Sequence, residues 1–227
     1  MSDFTLINKI SGLSEEEQKT LIDNPFTAKE AWLINTYEPI KQRIKKELIL
    51  EQLDRCAYCR KIIESDGKYE PLEHIVAKSI KVCWMFEPKN LVVTCDSCNN
   101  LKGKDRTLQQ AFDNSIEYPT TSDAFIIFHP HYDTWSDHLA FEDDIFIVPI
   151  ENSKGSNTIR ICKLFRYNII LNRAKELKLD QKSQAKKTLY RLQKAEIHSQ
   201  EYLENKENLI LAMDHFLDRM QNDPRFA

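Results

Sequence analysis

Glu73 and His74 stand side by side in "YEPLEHIVAKS" (69–79), between the cysteine pairs "CAYC" (56–59) and "CDSC" (95–98). An acid beside an imidazole can be an ordinary surface pair, two extra metal ligands, or a pair that moves a proton and holds a cation. The cysteines narrow the choice. Zinc accepts four thiolates in a tetrahedron, and a site so filled is closed. Cys56, Cys59, Cys95 and Cys98 supply that set, so their spacing predicts a structural zinc site. A redox Cys-x-x-Cys needs one pair and leaves the second unexplained. With four sulfur ligands in place, His74 is not required on the zinc. Any chemistry at Glu73 and His74 is then separate from it. Thirty-five residues divide Cys59 from Cys95, so a self-contained piece of structure must fit between the pairs.

Three further stretches complete the pattern. Asn90 lies in "PKNLVVTC", and Asn99, Lys102 and Lys104 lie in "CDSCNNLKGK" directly after the second pair. Taken singly, Asn90 also suits the start of a strand, and the two lysines suit solvated charges. Taken in order, an acid and a His, a middle Asn, and an Asn opening a helix behind Cys-x-x-Cys, the arrangement resembles the HNH endonuclease family with its ββα-metal fold. The resemblance covers roughly residues 53–106. It implies that His74 is the general base and that Glu73 and Asn99 hold a divalent cation, Mg²⁺ or Mn²⁺. It also implies that Asn90 braces the loop that orients His74. Lys102 and Lys104 would meet the nucleic acid, with double-stranded DNA the expected substrate. Glu73 departs from the Asp more common in the family, and Asn100 competes with Asn99 for the last position.

A looser resemblance extends beyond this core. "LEQLDRCAYC", the "EHIVAKS" core and the later "HPHYDTWSDH" (129–138) together resemble HNH proteins of Septu-type anti-phage systems. That resemblance implies a nuclease effector acting with an ATPase partner. Two other functions fit the same residues: a zinc module that only binds nucleic acid, and a non-catalytic interaction subunit.

These residues need elements to position them. "SEEE" (14–17) and "TAKE" (27–30) are capping boxes, each predicting a helix start. The second helix would be bent by Pro39. In 40–53, Ile40, Ile44, Leu48 and Leu53 define one helical face leading into Cys56. "SDGK" (65–68) predicts a hairpin between "CRKII" and "YEPLEHIV". "NLVVTC" is a short strand entering the second cysteine pair. "AFIIF" (124–128), "IFIVPI" (145–150) and "NTIRIC" (157–162) are strand-like, and the remainder is helical. The expected fold is α+β: an N-terminal helical region (1–52), a nuclease core with the zinc site (53–110) and a C-terminal α+β region (111–227).

Composition sets outer limits. No apolar run approaches the ~20 residues of a membrane helix, and the N-terminus lacks a signal-peptide pattern, so a soluble cytoplasmic chain is expected. Cys83 and Cys162 lie in apolar surroundings and are expected to be buried. Charge is segregated: residues 107–153 hold nine acids and no Lys or Arg, whereas residues 154–195 hold 12 basic and 2 acidic residues. The basic block either tracks a phosphate backbone or pairs with the acidic one. "HPHYDTWSDH" is either a second metal site or a loop that caps "AFIIF" with aromatic packing.

Overall fold

The computed structural model describes residues 6–63, 71–142 and 144–176, and positions 200, 203, 204, 207 and 211. Helix α1 (Glu15–Asp23) starts at the predicted box. The Ser14 hydroxyl accepts from the Glu17 N–H at 3.2 Å, and the Glu17 carboxylate accepts from the Ser14 N–H at 2.8 Å. Helix α2 (Glu38–Glu51) buries Ile40, Ile44 and Leu48, the predicted stripe. Arg43 of α2 fixes α1 by binding Glu17 at 2.6 Å and its own neighbour Glu47 at 2.9 Å.

The second predicted box forms no helix. Residues 29–33 and 35–37 are two short 3-10 turns without side-chain caps, and Pro39 starts α2 rather than bending a preceding helix. A proline in the first helical turn loses no hydrogen bond, because that turn's N–H groups have no partner within the helix. Leu53 lies past the end of α2 with positive φ and is exposed, so it leaves the predicted face.

Strand β1 (Leu72–His74) pairs antiparallel with β2 (Leu91–Val93), with Glu73 opposite Val92 and His74 opposite Leu91. Helix α3 (Asp96–Lys102) follows β2 directly. The predicted partner of β1 was "CRKII". That segment contributes only an isolated bridge between Arg55 and Ile62, and the "SDGK" turn lies outside the described residues. β2 wins the pairing because its three apolar residues are fully buried. The outward groups of β2 are also engaged. The Gln52 amide accepts from Val93 N–H at 2.9 Å and donates to the Val93 carbonyl at 2.7 Å, to which Ala57 N–H also donates. His131 Nε2 contacts the Leu91 carbonyl at 2.8 Å, and Leu91 N–H donates to the Pro88 carbonyl.

A second antiparallel ribbon joins β3 (Leu139–Glu142) to β4 (Phe146–Pro149). Two expected strands are absent. "AFIIF" forms only a bridge from Phe125 to Leu108, and Ala124, Phe125, Ile127 and Phe128 are buried together rather than alternately. "NTIRIC" is helical: α4 (Gly155–Ile161) buries Gly155, Thr158 and Ile159, and Cys162 just beyond. Those positions are spaced i, i+3, i+4, i+7, a helical stripe that a short apolar run conceals. Gly155 is required because a Cβ there would collide with the His138 carbonyl and the Pro149 ring. Helix α5 (Tyr167–Glu176) follows. One continuous apolar core runs from Ile7 to Ile169 and includes residues of α2, β2, α4 and α5. Among the described residues no helix is long and apolar enough to cross a membrane. The basic stretch beyond 176 lies outside the described residues.

"HPHYDTWSDH" is a packed loop. His129 stacks on Tyr132 at 4.2 Å and bonds the Tyr118 hydroxyl at 2.8 Å, and Trp135 donates to the Tyr58 carbonyl at 2.9 Å. Asp133 is its hub, binding the Ser122 hydroxyl, the His129 N–H at 2.7 Å and the Lys154 ammonium at 3.1 Å. Burial opposes a charge on Asp133, but its bonds with His138, Ser122 and the His129 backbone outweigh that and hold its pKa well below the ordinary range. A depressed carboxylate pKa stabilises the fold above its unfolded value, and that contribution fades as pH falls through it. Asp133→Asn is therefore expected to destabilise the chain by about 3 kcal/mol at neutral pH. The gap from wild type should shrink below about pH 4; urea melts at pH 7 and pH 3.5 measure both. Some acids of the 107–153 block pair locally in this way, Asp133 with Lys154 and Asp113 with Arg106.

Candidate metal centre and adjoining cleft

The first cysteine pair sits on the turn that leaves α2. The second straddles the start of α3, where Cys95 occupies the cap position and its carbonyl accepts from the Cys98 N–H at 3.0 Å. Val93 links the two turns by accepting from Ala57 N–H. All four cysteines are buried, and their sulfurs lie within 4.8 Å of one another. A tetrahedral zinc with bonds of ~2.3 Å places sulfurs about 3.8 Å apart; Cys59 and Cys95 are 3.7 Å apart. The cluster could hold a structural metal such as zinc. Burial opposes a thiolate at Cys56, yet the other three thiol groups around it draw its pKa well below the ordinary value. The same crowding pushes Cys98 well up.

Cys162 is buried as expected, and burial pushes its thiol up. Cys83 is exposed instead, because the 3-10 turn Val82–Trp84 buries Trp84 and turns Cys83 outward.

Beside the cluster opens a cleft of about 520 Å³. Glu73 and His74 of β1, Asn99 and Asn100 of α3, Lys78 and Lys104 all line it, joined by Lys29 and Trp32 from the first 3-10 turn. Asn90 is fully buried behind it. Its side chain accepts from Val76 N–H at 2.8 Å and donates to the carbonyls of Val76 and Trp84 at 3.1 and 3.0 Å. It therefore clamps the loop that follows His74.

His74 is buried, its ring in a T-shaped contact with Trp32 at 4.5 Å between centroids. Its Nε2 lies 3.1 Å from the Met85 carbonyl. A carbonyl only accepts, so Nε2 carries hydrogen and the neutral ring keeps its lone pair on Nδ1. Burial, reinforced by the charge of Lys78, lowers the His74 pKa to about 3, so the ring is neutral at pH 7. Glu73 is pulled upward by burial, and the Lys102 ammonium opposes that pull.

Lys102 requires a correction. It was expected to face nucleic acid, but its side chain has no solvent exposure. The ammonium binds Glu73 Oε1 at 2.7 Å and the His74 carbonyl at 2.9 Å. Its stem runs inward from the last turn of α3, and a buried charge must find a partner there. Lys104, past Gly103 and its positive φ of 53°, remains exposed at the cleft rim. Asn100 also reaches the rim, with its amide held by Asp96 at 2.9 Å.

Lys78, Lys29 and Trp32 were missed from the sequence. Lys78 could have been found, four residues after His74 in the same stretch. Trp32 carried no local signal, since the fold brings it to His74 from 42 residues away. Comparison with family models and with curated proteins returns no match for the chain.

Proposed function

We propose that the chain is a metal-dependent HNH-type endonuclease that hydrolyses DNA phosphodiester bonds. The observation that carries this reading is convergence. Glu73, His74 and Asn99 come from one strand and one helix and line a single open cleft, while Asn90 braces the loop behind. In this reading His74 Nδ1 takes the proton from the water that attacks phosphorus. Met85 fixes the tautomer, and Trp32 fixes the ring plane. A base with so low a pKa accepts protons reluctantly, and an entering phosphate anion would raise it. Lys78 and Lys104 would bind that phosphate. A divalent cation held by Glu73 and Asn99, Mg²⁺ or Mn²⁺, would supply charge neutralisation at the leaving oxygen. Lys102 holds Glu73 Oε1, and the His74 N–H also bonds the carboxylate, so a cation there would share Glu73 with both.

The test is nicking of supercoiled double-stranded plasmid in Mg²⁺ or Mn²⁺, with EDTA as control. Wild type should cleave only with the cation. His74→Ala should lose about a hundred- to ten-thousand-fold in rate while keeping its circular dichroism spectrum. Cleavage unchanged by that substitution would remove His74 from the mechanism. The proposal extends to a cytoplasmic anti-phage effector controlled by an ATPase partner; no stimulation by ATP in a co-purified complex would count against that extension.

One observation favours a second reading. Lys102 already neutralises Glu73, so the cleft carries its own counter-charge. The chain would then be a zinc-containing nucleic-acid-binding module or a non-catalytic subunit. Retained zinc and DNA binding with no cleavage, alone or with a partner, would select it.

A further inference from the structure

The turn after α4 brings a guanidinium to the cysteine cluster. Arg166 donates from one nitrogen to Cys98 Sγ at 3.0 Å and from another to the Ser97 carbonyl at 3.1 Å. These bonds run to a sulfur and a carbonyl rather than to a carboxylate. Between α5 and the two cysteine turns lies a small cavity of about 80 Å³, lined by Cys59, Cys95 and Arg166 among others. On the other turn Arg60 directly follows Cys59 and is buried, with one nitrogen on the Gln52 carbonyl at 3.2 Å.

Charge explains the placement. Four thiolates around a divalent cation carry a net −2. Burying that charge unbalanced is costly, and so is half-burying the Arg166 guanidinium, which cannot lose its proton. Placed together, the two costs offset. An N–H bond to a thiolate is charge-assisted and strong, whereas a neutral thiol is a weak acceptor. The Arg166 contact therefore gains its full strength only when Cys98 is a thiolate, the form a bound metal enforces.

We infer that Arg166 is a positioning residue of the metal centre: its bond to Cys98 slows loss of the metal and fastens α5 to α3 while the metal is bound. The inference rests on the four-cysteine zinc reading and not on the nuclease reading, and it stands whether or not the chain cleaves DNA.

The test uses the full zinc-loaded chain and follows transfer of zinc to excess 4-(2-pyridylazo)resorcinol. Arg166→Met should release zinc about 10-fold faster than wild type or more, and Arg166→Lys should fall between, since it keeps the charge but not the fork. In cobalt-substituted protein, Arg166→Met should shift the thiolate-to-cobalt charge-transfer band, because the bond to Cys98 is gone. Amide exchange in 167–176 should rise when zinc is withdrawn from wild type. An unshifted band and wild-type release rate in folded Arg166→Met would overturn the inference. Should that variant not fold, Arg166→Lys decides by the same two readouts. Less than one zinc per wild-type chain by elemental analysis would also overturn it.

Discussion

Replacing Cys98 by serine is expected to remove the cooperative thermal transition of the chain and its bound zinc together. Cys98 has no solvent exposure, and its sulfur lies within 4.8 Å of the other three cluster sulfurs. The cluster ties the turn after α2 to the start of α3, two segments separated by the whole β1–β2 ribbon. Structural zinc contributes about 10–16 kcal/mol of apparent binding energy to small sites. Whole domains are stable by only about 5–15 kcal/mol. Loss of one ligand is therefore comparable with the entire stability. Circular dichroism melts with parallel zinc quantification measure it, and a wild-type melting temperature in Cys98→Ser would show that the cluster is not structural. Cys83→Ser is the internal comparison, with an expected change within about 0.5 kcal/mol because the side chain is exposed.

The second large effect is expected at Lys102. Lys102→Met keeps the buried stem but deletes the ammonium that binds Glu73 and the His74 carbonyl. Removing one partner of a buried pair strands the other charge and costs about 3–5 kcal/mol. Glu73→Gln added to Lys102→Met removes the stranded charge and should recover part of that loss. Urea melts of the single variants and the double variant measure the coupling. Additive losses would mean that the two groups do not act as a pair. The placement of Lys102 beneath both Glu73 and His74 gives this residue a double role, since it neutralises one and holds the backbone of the other.

The legibility of the site followed the range of its contacts. Spacing alone found the four cysteines, because a knuckle is a local object. The helical stripe Ile40, Ile44 and Leu48 and the Ser14 capping box were readable for the same reason. Lys102 was not: a lysine in a polar stretch gives no sign that its stem points inward and meets an acid 29 residues away. Trp32 entered the cleft from a segment whose capping pattern suggested a helix, whereas packing left two 3-10 turns. "NTIRIC" failed for a different reason. Six residues with three apolar side chains fit a strand or two helical turns equally, and the deciding contact, Gly155 against His138 and Pro149, lies in the tertiary structure. Gln52 was invisible as well, since its function is to imitate a strand for Val93.

That imitation has a consequence for the crowded state of the chain. An exposed strand edge is a template on which a second molecule can extend the sheet. On β2 every outward backbone group is occupied, at Val93 by Gln52 and Ala57 and at Leu91 by His131 and Pro88. The ribbon that carries Glu73 and His74 is thus sealed on the β2 side against strand addition. Self-association through this edge, and the aggregation it would seed, requires first displacing a helix-end glutamine and a loop histidine that belong to opposite halves of the chain.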